Sequence, residues 1–151
     1  MNPFKSSPTQ RLATWAEFRD SLPNLTEAEQ IQQVAEYWAQ CPFDRWLIEP
    51  TAPETWPSVW ELLYEGTYCM NSVAVGIETT LRLAGWDQSR LELLMVKEVD
   101  NISSEYFVVK IDGTHILNYS YGKCVPVEEI QNKVEFQYAY RWAGRTYAQA
   151  K

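Results

Sequence analysis

The hydrophobic period of this chain changes once, just after Gly85, and no other feature of the sequence constrains the fold as strongly. Before that point apolar residues recur at the three- and four-residue steps of a helix, and beyond it they alternate as in strands. Helices gathered ahead of an antiparallel sheet give a layered α+β architecture. The expected fold class is therefore α+β, with N-terminal helices and a central helix packed on an antiparallel β-sheet. One domain over 1–151 is expected, with a helical and proline-rich part over 1–55, a helix-plus-sheet core over 56–143 and a tail over 144–151.

In the first half, Leu12, Trp15, Ala16 and Phe18 mark a helix over 9–22 that Pro23 ends. Thr26 and Glu29 form a capping box for a second helix, whose stripe Ala28, Ile31, Val34, Ala35 and Trp38 runs down to Gln40. Pro42, Pro50, Pro53 and Pro57 then break the chain, and each lacks an amide donor, so 41–57 reads as a loop that Trp46, Leu47 and Ile48 tack onto the core. Ser58 and Glu61 form a second capping box, opening a short helix that Gly66 terminates. Val73, Ile77, Leu81 and Ala84 then place the central helix over 69–84, with Gly85 as its C-terminal cap.

Three strands follow over 91–97, 106–111 and 114–119, and Asp112-Gly113 is a type I′ hairpin signal between the last two. Over 134–142, Val134, Phe136, Tyr138, Tyr140 and Trp142 alternate with polar or small residues, which predicts a strand burying one face.

The net charge of −7 repels phosphate backbones and anionic membrane surfaces, so neither nucleic acid nor membrane is an expected partner. Three scattered cysteines, Cys41, Cys69 and Cys124, suit reduced thiols and a cytoplasmic location better than a disulfide framework. The N-terminus shows no apolar stretch of a targeting signal, and no apolar run reaches the roughly 18 residues of a membrane span.

Cys69 falls where the central helix opens, and there the helix dipole and free amides favour a thiolate. A cysteine opening a helix ahead of an antiparallel sheet, here in Gly66-Thr67-Tyr68-Cys69-Met70-Asn71, resembles the core of transglutaminase-like (papain-like) cysteine peptidases. Leu117-Asn118-Tyr119 extends the resemblance, which spans roughly 56–142. It implies Cys69 as nucleophile, Asn118 as the orienting third member and a histidine near Ser104, Glu105 and Tyr106. None of those three is a histidine, and Tyr68 stands where the family carries an acid.

The sole histidine of the sequence, His115, shares a strand face by alternation with Leu117 and Tyr119, whereas Asn118 falls on the other face with Thr114 and Ile116. His115 is thus expected to point away from the site. General-base help is worth about 10²–10⁴-fold in rate, so the resemblance is to a degenerate member. The plainer reading of Cys69 is a small buried hydrophobe. With no second histidine and no glycine-rich phosphate loop, neither metal nor cofactor is expected. Glu98, Asp100, Glu105 and Asp112 lie at turns and read as solvated tips.

Seven Trp and nine Tyr are too many for a domain of this size to bury completely. Trp56, Trp60, Tyr119 and Tyr121 are the candidate binding residues, with Trp56, Tyr119 and Tyr121 forming most of the exposed set. The leading expectation is a non-catalytic domain acting through protein partners, up to a larger assembly. Its aromatic-rich, compact character resembles small accessory or structural proteins of tailed phages, which would make it a virion component. The alternative is a cysteine hydrolase or acyltransferase using Cys69 with Asn118 and either His115 or a base from a partner. A third reading is a small-molecule pocket between the central helix and the sheet, lined by Tyr68, Tyr106 and Asn118.

Overall fold

The structure, a computed structural model, describes residues 2–43, 48–100 and 104–150. Helix α1, Pro8–Ser21, starts with Pro8 in its first turn and the Ser7 hydroxyl accepting from the Gln10 amide at 3.3 Å. Helix α2, Glu27–Ala39, carries the expected capping box, with Thr26 and Glu29 exchanging hydrogen bonds of 3.2 and 3.0 Å. Ser58 and Glu61 do the same at the head of α3, Val59–Glu65, which stops at Gly66 with φ 76°. Helix α4, Met70–Leu83, ends where the Gly85 and Trp86 amides reach back to the carbonyls of Arg82 and Leu81. Trp46 and Leu47 lie outside the described residues, while Ile48 is buried.

The strands are β1 (Leu91–Glu98), β2 (Glu105–Ile111), β3 (His115–Leu117), β4 (Val125–Pro126), β5 (Val134–Trp142) and β6 (Tyr147–Gln149), with a short helix α5, Val127–Ile130, before β5. They form one antiparallel sheet in the order β4-β3-β2-β1-β5-β6. The α+β class expected from the period switch is the observed one. Asp112 and Gly113 both have positive φ, 54° and 72°, and Thr114 N–H closes the turn onto Ile111 C=O, as a type I′ hairpin requires. No helix among the described residues is long and apolar enough to cross a membrane.

Helix α4 is the centre of the molecule, and every residue from Ser72 to Leu81 is buried. Its core contacts include Trp15 and Trp38, whose indole N–H groups both donate to Thr80 Oγ1, at 3.0 and 3.1 Å. Thr80 Oγ1 in turn donates to the Gly76 carbonyl at 2.6 Å. Phe107, Val109, Ile111, Leu117 and Tyr140 of the sheet join this core, and Leu94, Val96, Tyr106, Val108 and Ile116 form a second cluster on the other face, beside α5.

Three expectations need correction. The segment over 144–151 is not a tail: Tyr147–Gln149 pairs with β5, and Tyr147 is buried. The strand expected over 114–119 is only three residues long, because Asn118 turns into the left-handed region at φ 71°. Strand β5 does not bury one continuous face. Tyr138 pairs with Met95 and Phe136 with Val96, so Gln137 is an unpaired bulge that reverses the alternation. Tyr138, Tyr140 and Trp142 consequently face α4, while Val134 turns to the second cluster and Phe136 is 42% exposed.

A Cβ on Gly76 would lie 2.4–2.6 Å from the Trp38 ring. Gly76→Ala should therefore destabilise the fold by about 3 kcal/mol through overpacking. A lower urea midpoint with an unchanged slope would report it, and a wild-type midpoint would contradict it.

Candidate functional site

Cys69 is the N-cap of α4 and is 4% exposed. It sits there because Ser72, three residues on, accepts from the Cys69 amide and donates to the Cys69 carbonyl, each at 2.8 Å. The next turn outward belongs to asparagines. Asn118 Nδ2 donates to Met70 C=O at 3.1 Å and to Phe107 C=O at 2.9 Å, and Asn71 Oδ1 accepts from Phe107 N–H at 2.9 Å. Strand β3 pairs with β2 only from Val109 to Ile111, so Phe107 lies past its end, and these side chains satisfy backbone groups that have no strand partner there.

The sequence-derived triad separates. Cys69 and Asn118 both adjoin the first turn of α4, but His115 stands at the opposite end of the strand, paired with Ile111 next to the hairpin turn. Phe107 to Ile111 spans roughly 13 Å of strand. The His115 side chain is exposed, with Nδ1 2.8 Å from Thr114 Oγ1. The expected reason for its isolation was wrong, however. Leu117, on its strand face, packs in the α4 core, so His115 is on the same side as α4 and is separated by distance along the strand. Asn118 reaches α4 because its left-handed backbone breaks the alternation that put it with Ile116.

Tyr106, at the strand start where the resemblance implies a histidine, lies in the second cluster on the face away from α4. Its hydroxyl donates to Glu98 Oε1 at 2.6 Å, and burial, with the carboxylate beside it, pushes the phenol pKa well up. The proposed pocket between α4 and the sheet is filled. Tyr68 is 1% exposed in the helical core, Tyr106 is on the wrong face, and beside Asn118 there is a cavity of only about 10 Å³, room for about one water.

The four candidate binding residues do not form one patch. Trp56 is half-buried, its ring against Phe107, Tyr140 and Tyr147 and its indole N–H on Glu49 C=O at 2.7 Å. Tyr119 is half-buried against the second cluster, on the opposite face of the sheet. Tyr121, 59% exposed, packs near Phe43. Trp60, 47% exposed, meets Trp15 edge-on.

Trp56 and Trp60 do share a cleft of about 400 Å³ with Trp142, Tyr147, Arg82 and Arg145. Two of its lining residues, Arg82 and Tyr147, belong to a buried polar cluster. Glu78, 1% exposed, pairs with Arg82 at 3.1 Å and accepts from Tyr147 Oη at 2.6 Å, and the Arg82 guanidinium lies 4.0 Å over the Trp142 ring. Burial and the adjacent Glu78 carboxylate raise the Tyr147 pKa. This cluster is not among the expected sites, although Glu78, an acid in mid-helix between Ile77 and Leu81, is its signal in the sequence.

Solved structures of LapG from Legionella pneumophila resemble this chain throughout. The calcium-bound form matches at TM-score 0.75 and 16% identity, covering 97% of this chain and 84% of LapG. A second LapG structure matches at 0.74 and 17% identity over 92% and 79%, and the EGTA-treated form at 0.75 and 16% over 95% and 82%. LapG has a transglutaminase-like (papain-like) cysteine protease fold, and the likeness at this identity is one of fold. No protein-family model matches the chain, and neither does any curated protein.

Asn118→Asp keeps the side-chain size but sets a carboxylate against the Met70 and Phe107 carbonyls. Stability should fall by about 2–4 kcal/mol, because two buried acceptors lose their donors. Urea denaturation measures this, and an unchanged midpoint would refute the structural role given to Asn118.

Proposed function

We propose that this chain is a non-catalytic binding module on a transglutaminase-like fold, acting through contacts with protein partners. The observation that carries the reading is the use of Asn118: both amide donors hold backbone carbonyls, while the imidazole that a nucleophilic Cys69 needs is at the far end of the strand. Assembly into a larger particle, including a phage virion, and a reducing cytoplasmic setting belong to the same proposal, and they rest on composition alone.

A second reading, a cysteine hydrolase or acyltransferase, is favoured by the fold of LapG and by the position of Cys69 at the N-cap of a 14-residue helix. It would need a base from outside the chain. One LapG structure is calcium-bound, but no group of three His, Cys, Asp or Glu among the described residues is placed to hold a metal, so neither reading includes an ion.

Alkylation of Cys69 by iodoacetamide, followed by peptide mass spectrometry across pH 5 to 9, separates the two. The binding-module reading expects slow, unfolding-limited labelling, since the thiol is buried. Rapid labelling of the folded protein at about pH 6, the behaviour of a base-paired thiolate, would favour the hydrolase.

A further inference from the structure

The Trp60 cleft continues past the limits described above. Pro57 and Glu61 also border a second cleft of about 200 Å³ that reaches Leu62 and Glu65 along α3. The two hollows share a wall and form one track across the first turns of that helix.

The track is acidic at its rim and aromatic at its centre. Glu54, Glu61 and Glu65 line it, and none forms an ion pair with a described cation. Arg82 is paired with buried Glu78, which leaves Arg145, among the described residues, as the one cation lining the track without a carboxylate partner, against those three carboxylates. The tryptophan faces add to the preference, because indole rings attract guanidinium and ammonium groups. The molecule already shows this nearby, with Arg19 4.3 Å over Trp15 and 5.9 Å over Trp60 itself, and Arg82 4.0 Å over Trp142.

We propose that this track binds an extended basic segment of a protein partner. A proline or apolar residue would fill the cleft between Trp56, Trp60 and Trp142, and Lys or Arg side chains would lie beside Glu61 and Glu65. The spacing suits an extended chain. Residues i and i+2 of a strand stand roughly 7 Å apart, close to the one-turn step of about 6 Å from Glu61 to Glu65. Nucleic acid and anionic membranes are repelled by the same carboxylates. This inference rests on the binding-module reading and gives it a surface and a partner chemistry.

The test is fluorescence anisotropy with a short fluorescein-labelled peptide of alternating Arg and Pro, beside the same peptide with Glu in place of Arg. The Arg peptide should bind and weaken with added salt, and the Glu peptide should not bind. Trp60→Ala should weaken binding about tenfold, as loss of an aromatic anchor does. The pair Glu61→Gln and Glu65→Gln should weaken it similarly, with the capping box intact because Gln still accepts from Ser58. Arg145→Ala should tighten it.

Equal binding of the two peptides would overturn the proposal. So would full affinity in Trp60→Ala protein of native circular dichroism. Absence of binding alongside an unreactive Cys69 would remove the track and leave the binding-module reading standing. Binding followed by cleavage of the peptide would do the reverse.

Discussion

The amide of Asn118 joins the first turn of the central helix to the sheet, and the rest of the structure is arranged around that joint. Strand β3 stops too soon to pair with Phe107, so the edge of β2 would present unpaired backbone groups beside the helix start. Asn118 and Asn71 occupy them instead. An asparagine suits the position because it tolerates the left-handed backbone at φ 71° that brings its amide round. With α4 held at this end, its remaining length can be enclosed, Gly76 beneath the Trp38 ring and Thr80 receiving two indoles.

The same joint commits, in a fold like that of LapG, both amide hydrogens of Asn118 to backbone carbonyls. Fold and activity are separable, since activity resides in a few side chains. Here the thiol stands at the helix start, and Tyr106, at the start of β2, is turned to the opposite face and bonded to Glu98. The groups that could orient a base instead hold the backbone together. The open, aromatic chemistry of the molecule lies elsewhere, over the C-terminal half of α4 and the end of β5.

What could be read from the sequence was what local physics decides. Two capping boxes, the Gly85 helix end and the Asp112-Gly113 turn depend on residues within a few positions of one another, and each stands where expected. The features that escaped depend on pairing between distant segments. The bulge at Gln137 is set by register against β1, and β6 becomes a strand only because β5 offers it an edge. That Cys69 opens the central helix was legible, but strict alternation put Asn118 on the face of Ile116, and so opposite His115, because the strand ends at Leu117 and Asn118 turns into the left-handed region. Trp56 and Trp60 were recognisable as binding candidates, whereas the cleft uniting them with Trp142 and Tyr147 is a tertiary product.

The central claim is that the thiol and the imidazole do not share a proton. Titrating His115 by NMR in the wild-type protein and in Cys69→Ser tests it directly. The imidazole resonances should trace the same curve in both, as expected of an exposed ring whose neighbours are Thr114 and the Asp112 carboxylate and not Cys69. A displacement of the titration midpoint by about one unit in Cys69→Ser, the mark of strong coupling between two ionisable groups, would contradict the account.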